Sequence, residues 1–248
     1  MTRFATPTVH ICPGCTAFFL RPRFRSVNFY GAQDWSDGTP MMWWSQEPLA
    51  RCNACAALFW IDDAESVGVM PDTPGTIGTL TRKWLRLRGD PEGGLQSQED
   101  WSTAKRLWGN ARRIGSAGFD DVAYVLARSK GVSRDRILWL RNRIWWGLND
   151  RYRVRSDGLP LSNVPKWPVA VERTNMEVIL DMLQDGEPQS WRMIQQGELL
   201  RLLGRFDQAI TVLKAVPADG QSEVRAVKIE RLARSGDAQV RLLNKPSW

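Results

Sequence analysis

Histidine is almost missing from this chain of 248 residues: there is one, His10. Cysteine occurs at four positions only, Cys12, Cys15, Cys52 and Cys55. Nucleophilic catalysis by serine or cysteine usually needs a histidine base beside the nucleophile, so that chemistry has almost nothing to work with. A lone histidine two residues before Cys12 reads as a local hydrogen-bonding residue rather than a base or a fifth ligand. No apolar run approaches the ~20 residues that span a bilayer. The stretch from Met1 to Val9 has no basic segment followed by an apolar core, so no signal peptide is expected. A phosphate loop, a Gly-x-Ser-x-Gly elbow, a His-Glu-x-x-His helix and a dinucleotide fingerprint are all lacking. These absences point away from an enzyme.

What is present is a pattern. The four cysteines stand as Cys12-Pro-Gly-Cys15 and Cys52-Asn-Ala-Cys55. A Cys-x-x-Cys pair turns both sulfurs toward one point. Two pairs supply four thiolates, a complete tetrahedral shell for one structural zinc ion with no position left for substrate. Paired cysteines without an export signal favour metal binding in a reducing cytoplasm over disulfides. The alternative, a redox-active pair of thiols, needs no second pair. Between them lie Asp34-Trp35-Ser36-Asp37-Gly38 and, after the second pair, Asp62, Asp63 and Glu65. Clustered carboxylates can do acid–base work or hold a hard cation. Ser-Asp-Gly is more simply a tight turn, and the turn is the reading preferred here.

Apolar residues make up 43% and charged residues 25%, a globular balance. The charge is uneven: Lys+Arg minus Asp+Glu is 5 − 7 = −2 for residues 1–79, 17 − 9 = +8 for 80–160 and 12 − 11 = +1 for 161–248. A basic middle suits nucleic acid or an acidic partner; it also suits a solvated helical face. Thirteen tryptophans raise the same choice. Trp43, Trp44, Trp60, Trp139, Trp145 and Trp146 could stack bases beside Arg21, Arg23, Arg25, Arg141 and Arg143. Packing is the preferred reading, because the helical tryptophans fall on or beside apolar stripes.

The residue pattern predicts an α+β chain. Ala17–Leu20, Ser26–Tyr30 and Ala57–Ile61 read as short strands around the cysteine pairs, giving a zinc-ribbon-like β module over residues 1–70. Residues 71–98 are a breaker-rich connector, with a short basic helix over Thr79–Arg88. Residues 99–160 read as a basic, Trp-rich helical region. Trp101, Ala104, Trp108 and Ala111 form one stripe, Asp120 or Asp121 caps a helix through Leu126, and Ser133 caps one carrying Ile137, Leu140, Ile144 and Leu148. Over residues 171–248 an array of helical hairpins is expected: Met176, Ile179, Leu180 and Leu183 on one helix, then Gln189–Leu203, Phe206–Val216 and Ser222–Ser235. Turns close at Gly204 and Gly236, a repeat-like spacing of 32 residues.

The run Gly197-x2-Leu200-x3-Gly204-x4-Ala209-x3-Leu213 resembles a tetratricopeptide unit. Small residues stand where two helices cross closely, and a glycine stands at the turn. More widely, Cys12-Pro-Gly-Cys15, Gly31-Ala-Gln-Asp-Trp-Ser-Asp-Gly38, Cys52-x2-Cys55 with Phe59-Trp60, Leu140-Arg-Asn-Arg-Ile-Trp-Trp146, Asn149-Asp150 and the Gly-Arg-Phe-Asp turn at 204–207 resemble a group of bacterial proteins. That group joins a zinc ribbon to tetratricopeptide-like helices. The resemblance implies no assigned activity. Stacked hairpins form a curved surface that receives a protein or peptide partner, so the expected function is that of a zinc-binding, non-catalytic adaptor or regulatory protein. The second expectation is nucleic-acid binding through the ribbon and the basic middle. No membrane partner is expected.

Overall fold

The computed structural model describes residues 3–26, 33–39, 47–71, 93–153, 165–185, 187–218 and 220–244. The expected Thr79–Arg88 helix, most of Ser26–Tyr30 and the Trp43–Trp44 pair lie outside them. The chain is mixed α and β, with strands in its N-terminal part and seven α-helices among the described residues of the rest. It divides into two compact units: residues 1–29 with 46–117, and residues 30–45 with 118–248. The division departs from a simple succession along the chain. The stretch between the two cysteine pairs goes with the helical unit, and residues 93–117 go with the cysteines.

The first unit holds seven strands among its described residues. β1 (Arg3–Ile11) and β2 (Phe18–Ser26) are antiparallel across the first Cys-x-x-Cys turn. Their register shifts between Ala5 and Thr8, where Thr6 and Pro7 sit; a proline has no N–H for the ladder, and a bulge accommodates it. β3 (Leu49–Arg51) and β4 (Leu58–Trp60) repeat the arrangement across the second turn. β5 (Ser66–Val69) adds to the free side of β1. Helix α1 (Gly93–Trp108) carries Trp108 down to this strand, and a Cβ on Gly68 would stand 2.4 Å from the indole. Only glycine permits that approach.

After α1 the chain does something that helical periodicity does not foresee. β6 (Arg112–Arg113) pairs parallel with β2, and β7 (Gly115–Ser116) pairs antiparallel with β3. One five-residue segment thus supplies an edge to both sheets, whose orders are β5-β1-β2-β6 and β4-β3-β7. The expected Trp101–Ala111 helix therefore stops at Trp108, and residues 112–116 are strand rather than part of an all-helical region. Phe19, Phe59, Ala50, Ile61 and Ala64 fill the space beside Cys12 and Cys52, with Ile114 packed against them.

The second unit contains α2 (Phe119–Ala127), α3 (Arg134–Asn149), α4 (Val169–Gln184), α5 (Ser190–Leu202), α6 (Phe206–Lys214) and α7 (Gln221–Arg234). The start of α2 corrects the expected cap: Gly118 is the capping residue, and Asp121 in the first turn accepts its N–H at 3.0 Å. Ser133 does stand at the start of α3, but without a side-chain cap bond. Trp145, Ile179, Leu180, Leu183, Ile194, Leu199, Leu200, Ala209, Leu213, Ala226, Ile229 and Ala233 form one continuous apolar core. Gly197 lies against α6, where an added Cβ would meet Leu213 at 2.4 Å.

Helices α5 and α7 end alike. Gly204 and Gly236 adopt φ of +78° and +68°. Gly204 donates to the Arg201 carbonyl and Arg205 to that of Leu200; Gly236 donates to Ala233 and Asp237 to Leu232. Both are Schellman endings, in which a left-handed glycine lets two N–H groups satisfy the last free carbonyls.

Candidate metal centre

The two cysteine turns are superposable in their bonding. Cys12 N–H donates to Ala17 O and Thr16 N–H to Cys12 O, each at 2.9 Å; Cys52 N–H donates to Ala57 O and Ala56 N–H to Cys52 O, again at 2.9 Å. One further N–H in each turn points at sulfur, Gly14 to Cys12 Sγ and Ala54 to Cys52 Sγ, both at 3.4 Å. Thr16 and Ala56 both sit at φ +60°, the left-handed conformation that glycine adopts without strain. The correspondence runs further: Val9 pairs with Leu20 as Leu49 pairs with Trp60, and His10 with Phe19 as Ala50 with Phe59. A forty-residue offset therefore relates the two hairpins, and the shared Ala-x-Phe after each pair is its trace in the sequence.

The hairpins bring all four sulfurs within 4.8 Å of one another. Between the pairs, Cys12 Sγ lies 3.9 Å from Cys55 Sγ and Cys15 Sγ lies 3.7 Å from Cys52 Sγ. A metal at about 2.3 Å from four tetrahedral sulfurs separates them by about 3.8 Å, and a disulfide would need about 2.05 Å. The cluster thus has the dimensions of a metal shell, and all four cysteines are free thiols. Cys12 and Cys52 are buried while Cys55 is exposed, so an ion could be loaded from one side. Among the described residues, these four are the one group of His, Cys, Asp or Glu placed to hold a metal ion.

Packing four thiols together without a cation splits their acidities. The Ala17 N–H favours a Cys15 thiolate, but the neighbouring Cys55 thiol, burial, and the thiols of Cys52 and Cys12 outweigh it and push Cys15 up to about 12. Burial raises Cys12 too. At Cys52 burial also opposes ionisation, yet the Cys55 and Ala54 N–H groups and the thiols of Cys12 and Cys55 bring it down to about 7. One thiolate forms readily and then disfavours the others. A divalent cation removes that conflict.

His10 is buried beside the centre and outside it. One ring nitrogen lies 2.9 Å from Thr8 Oγ1 and the other 3.4 Å from the Ala64 carbonyl, and the ring stacks on Phe19 at 5.4 Å. Burial lowers its pKa. Asp62 pairs with Arg21 at 2.9 Å.

The acidic loop is a turn, with Gly38 N–H donating to Trp35 O at 2.9 Å and Gly38 at φ +73°. It belongs to the helical unit. Asp37 pairs with Arg153 and accepts from Asn149 at 2.9 Å, while Trp146 Nε1 donates to the Asp37 carbonyl at 3.0 Å. Asp34 pairs with Arg225. Ser36 N–H donates to Arg241 O at 2.8 Å, Arg241 N–H donates to Ser36 Oγ at 3.0 Å, and Trp35 bridges to Leu242. Arg201, fully buried and bidentate to Glu198 at 2.8 and 2.6 Å, also reaches Ser36 Oγ at 3.3 Å. Both loop carboxylates are thereby held by arginines as structural partners. Trp145 is core and Trp146 packs on it, so neither is a base-stacking face.

The chain matches no family model, no curated protein and no solved structure. Among the described residues no helix is long and apolar enough to cross a membrane.

Proposed function

We propose that Cys12, Cys15, Cys52 and Cys55 hold one structural zinc ion, and that the protein is a non-catalytic adaptor or regulatory factor binding a protein or peptide on its helical hairpins. The observation that carries the metal reading is the pair of cross-hairpin sulfur distances, 3.7 and 3.9 Å. An all-sulfur tetrahedron suits zinc or iron, and it leaves no open position for catalysis. The tetratricopeptide-like reading of α4 to α7 is supported by the matched glycine endings and by the Gly197–Leu213 approach, where a small residue admits a close helix crossing. A reducing cytoplasm would keep the four thiols available for metal.

Two measurements test this. Chelation with proven metal loss should collapse the near-UV circular dichroism of the cysteine unit before the helices melt; unchanged spectra would refute a structural metal. Capture from native extract, with and without nuclease, should yield a protein that then binds the purified full chain with little salt dependence. Recovery of nuclease-sensitive material alone would refute the adaptor reading.

A further inference from the structure

The cysteine unit carries a cation-lined cleft beside the metal centre, with Cys52 in its wall. It encloses about 200 Å³ between the second cysteine turn, the start of β2 and the β6 segment, and its lining includes Phe18, Asn53, Asn110, Arg112, Arg113 and Ile114. Among the described residues no carboxylate lines it. Phe18 is 39% exposed, unusual for a phenylalanine beside a small core. Arg112 and Arg113 are exposed and make no side-chain hydrogen bond or ion pair to another described residue. Asn53 is anchored, its Nδ2 donating to Arg113 O at 2.7 Å, which ties the β6 backbone to the second cysteine turn.

The positive charge continues along the same edge. β6 covers β2 only at Phe19 and Leu20. Beyond that point β2 carries Arg23 and Arg25, both exposed, about 7 Å apart and on the strand face opposite Phe18. Arg21, on the same strand, is paired with Asp62 at 2.9 Å. An apolar ring beside unpaired guanidinium groups is the combination that holds a base by stacking and its phosphates by charge. A free phosphate would use the arginines and leave Phe18 without a role.

We propose that this cleft binds single-stranded nucleic acid, one base stacking on Phe18 and the adjoining phosphates lying on Arg112 and Arg113. Trp145 and Trp146 are not the platform; both are committed to the helical core. This site is independent of peptide binding by the helices, and its failure would leave that reading standing.

The test is fluorescence anisotropy of the full-length, metal-loaded protein with fluorescein-labelled oligo(dT) and oligo(rU) of twelve nucleotides, titrated with salt. Binding at low salt is expected, weakening steeply as salt rises. Arg112→Ser with Arg113→Ser should reduce the slope of log affinity against log salt by about 1.4, about 0.7 for each phosphate that is no longer neutralised. Phe18→Ala should weaken binding about fivefold or more and leave the slope unchanged. Lys214→Ser, on the helical unit, should change nothing. Metal content and circular dichroism of every variant are compared with the parent, and all four positions are exposed enough for folding to survive. No anisotropy change at low salt would overturn the proposal. So would equal binding by the Phe18 and arginine variants, or displacement of the oligonucleotide by an acidic peptide at the same concentration as by unlabelled oligo(dT).

Discussion

The Asp37 carboxylate and the Arg153 guanidinium pair across 116 positions of sequence with 0% of either side chain exposed. Asn149, Thr39 and the Trp146 carbonyl complete the shell around them. Taking two charges out of water is costly, and such a pair holds only when further hydrogen bonds satisfy both partners. Here they satisfy the carboxylate and both terminal nitrogens of the guanidinium, leaving only Arg153 Nε without a partner among the described residues, and the loop between the two cysteine pairs is bound into the helical unit by them.

Removing Asp37 leaves the buried Arg153 guanidinium with the part-exposed Asp150 as its one remaining carboxylate among the described residues. Asp37→Ala should destabilise the helical unit by about 3–5 kcal/mol, read as a lower urea midpoint with tryptophan fluorescence. Adding Arg153→Met should recover part of that loss, because no buried charge is then left alone. A midpoint unchanged in Asp37→Ala would mean that the pair is not buried in solution.

Relief of strain is expected at the cysteine turns. Thr16→Gly and Ala56→Gly place glycine where φ is +60°. Each should stabilise the metal-loaded protein by about 0.5–1 kcal/mol after the entropy lost by glycine on folding is offset. Thr16 should gain more, since a β-branched side chain fits that conformation worst. Thermal melts of the two single variants read the difference.

The α5–α6 approach has no room for a methyl group. Gly197→Ala drives a Cβ to 2.4 Å from Leu213 Cγ and 2.5 Å from Cδ2, and overpacking of this kind costs about 1–3 kcal/mol. Leu213→Ala added to Gly197→Ala should cost less than the sum of the two single changes, a coupling that a double-mutant cycle measures.

Acid should weaken the helical unit through Asp237. Burial works against its ionisation. Arg241 at 2.7 Å, the Gln239 N–H at 2.9 Å and the charge of Arg201 outweigh burial and hold its pKa below the ordinary carboxylate value. A carboxylate depressed in the folded state contributes stability above its unfolded pKa of about 3.9 and loses it as pH falls through the folded value. The stability gap between the parent and Asp237→Asn should therefore be full at neutral pH and close below about pH 4.

The helices from Arg134 onward were legible because their information is local. Ile137, Leu140, Ile144 and Leu148 recur on one face, and Gly204 and Gly236 mark ends that need a left-handed residue. The cluster of four cysteines was legible for the same reason, as two short spacings. What escaped depends on distant partners. Arg112-Arg113 and Gly115-Ser116 have no strand pattern of their own and become strands by adding to β2 and β3. Pro7 disguised β1, whose register shift absorbs it. The turn at Ser36-Asp37-Gly38 was readable as a turn, but its place in the helical unit is decided by Arg153, Arg201 and Arg225, all more than a hundred residues away. The forty-residue correspondence of the hairpins could have been found from Ala17-x-Phe19 and Ala57-x-Phe59.

X-ray absorption on the purified full chain, calibrated by elemental analysis, tests the central claim most directly. One zinc per chain with four sulfur neighbours at about 2.3 Å is the expected result. Absence of a stoichiometric metal, or a shell containing nitrogen or oxygen, would contradict a closed centre built from Cys12, Cys15, Cys52 and Cys55.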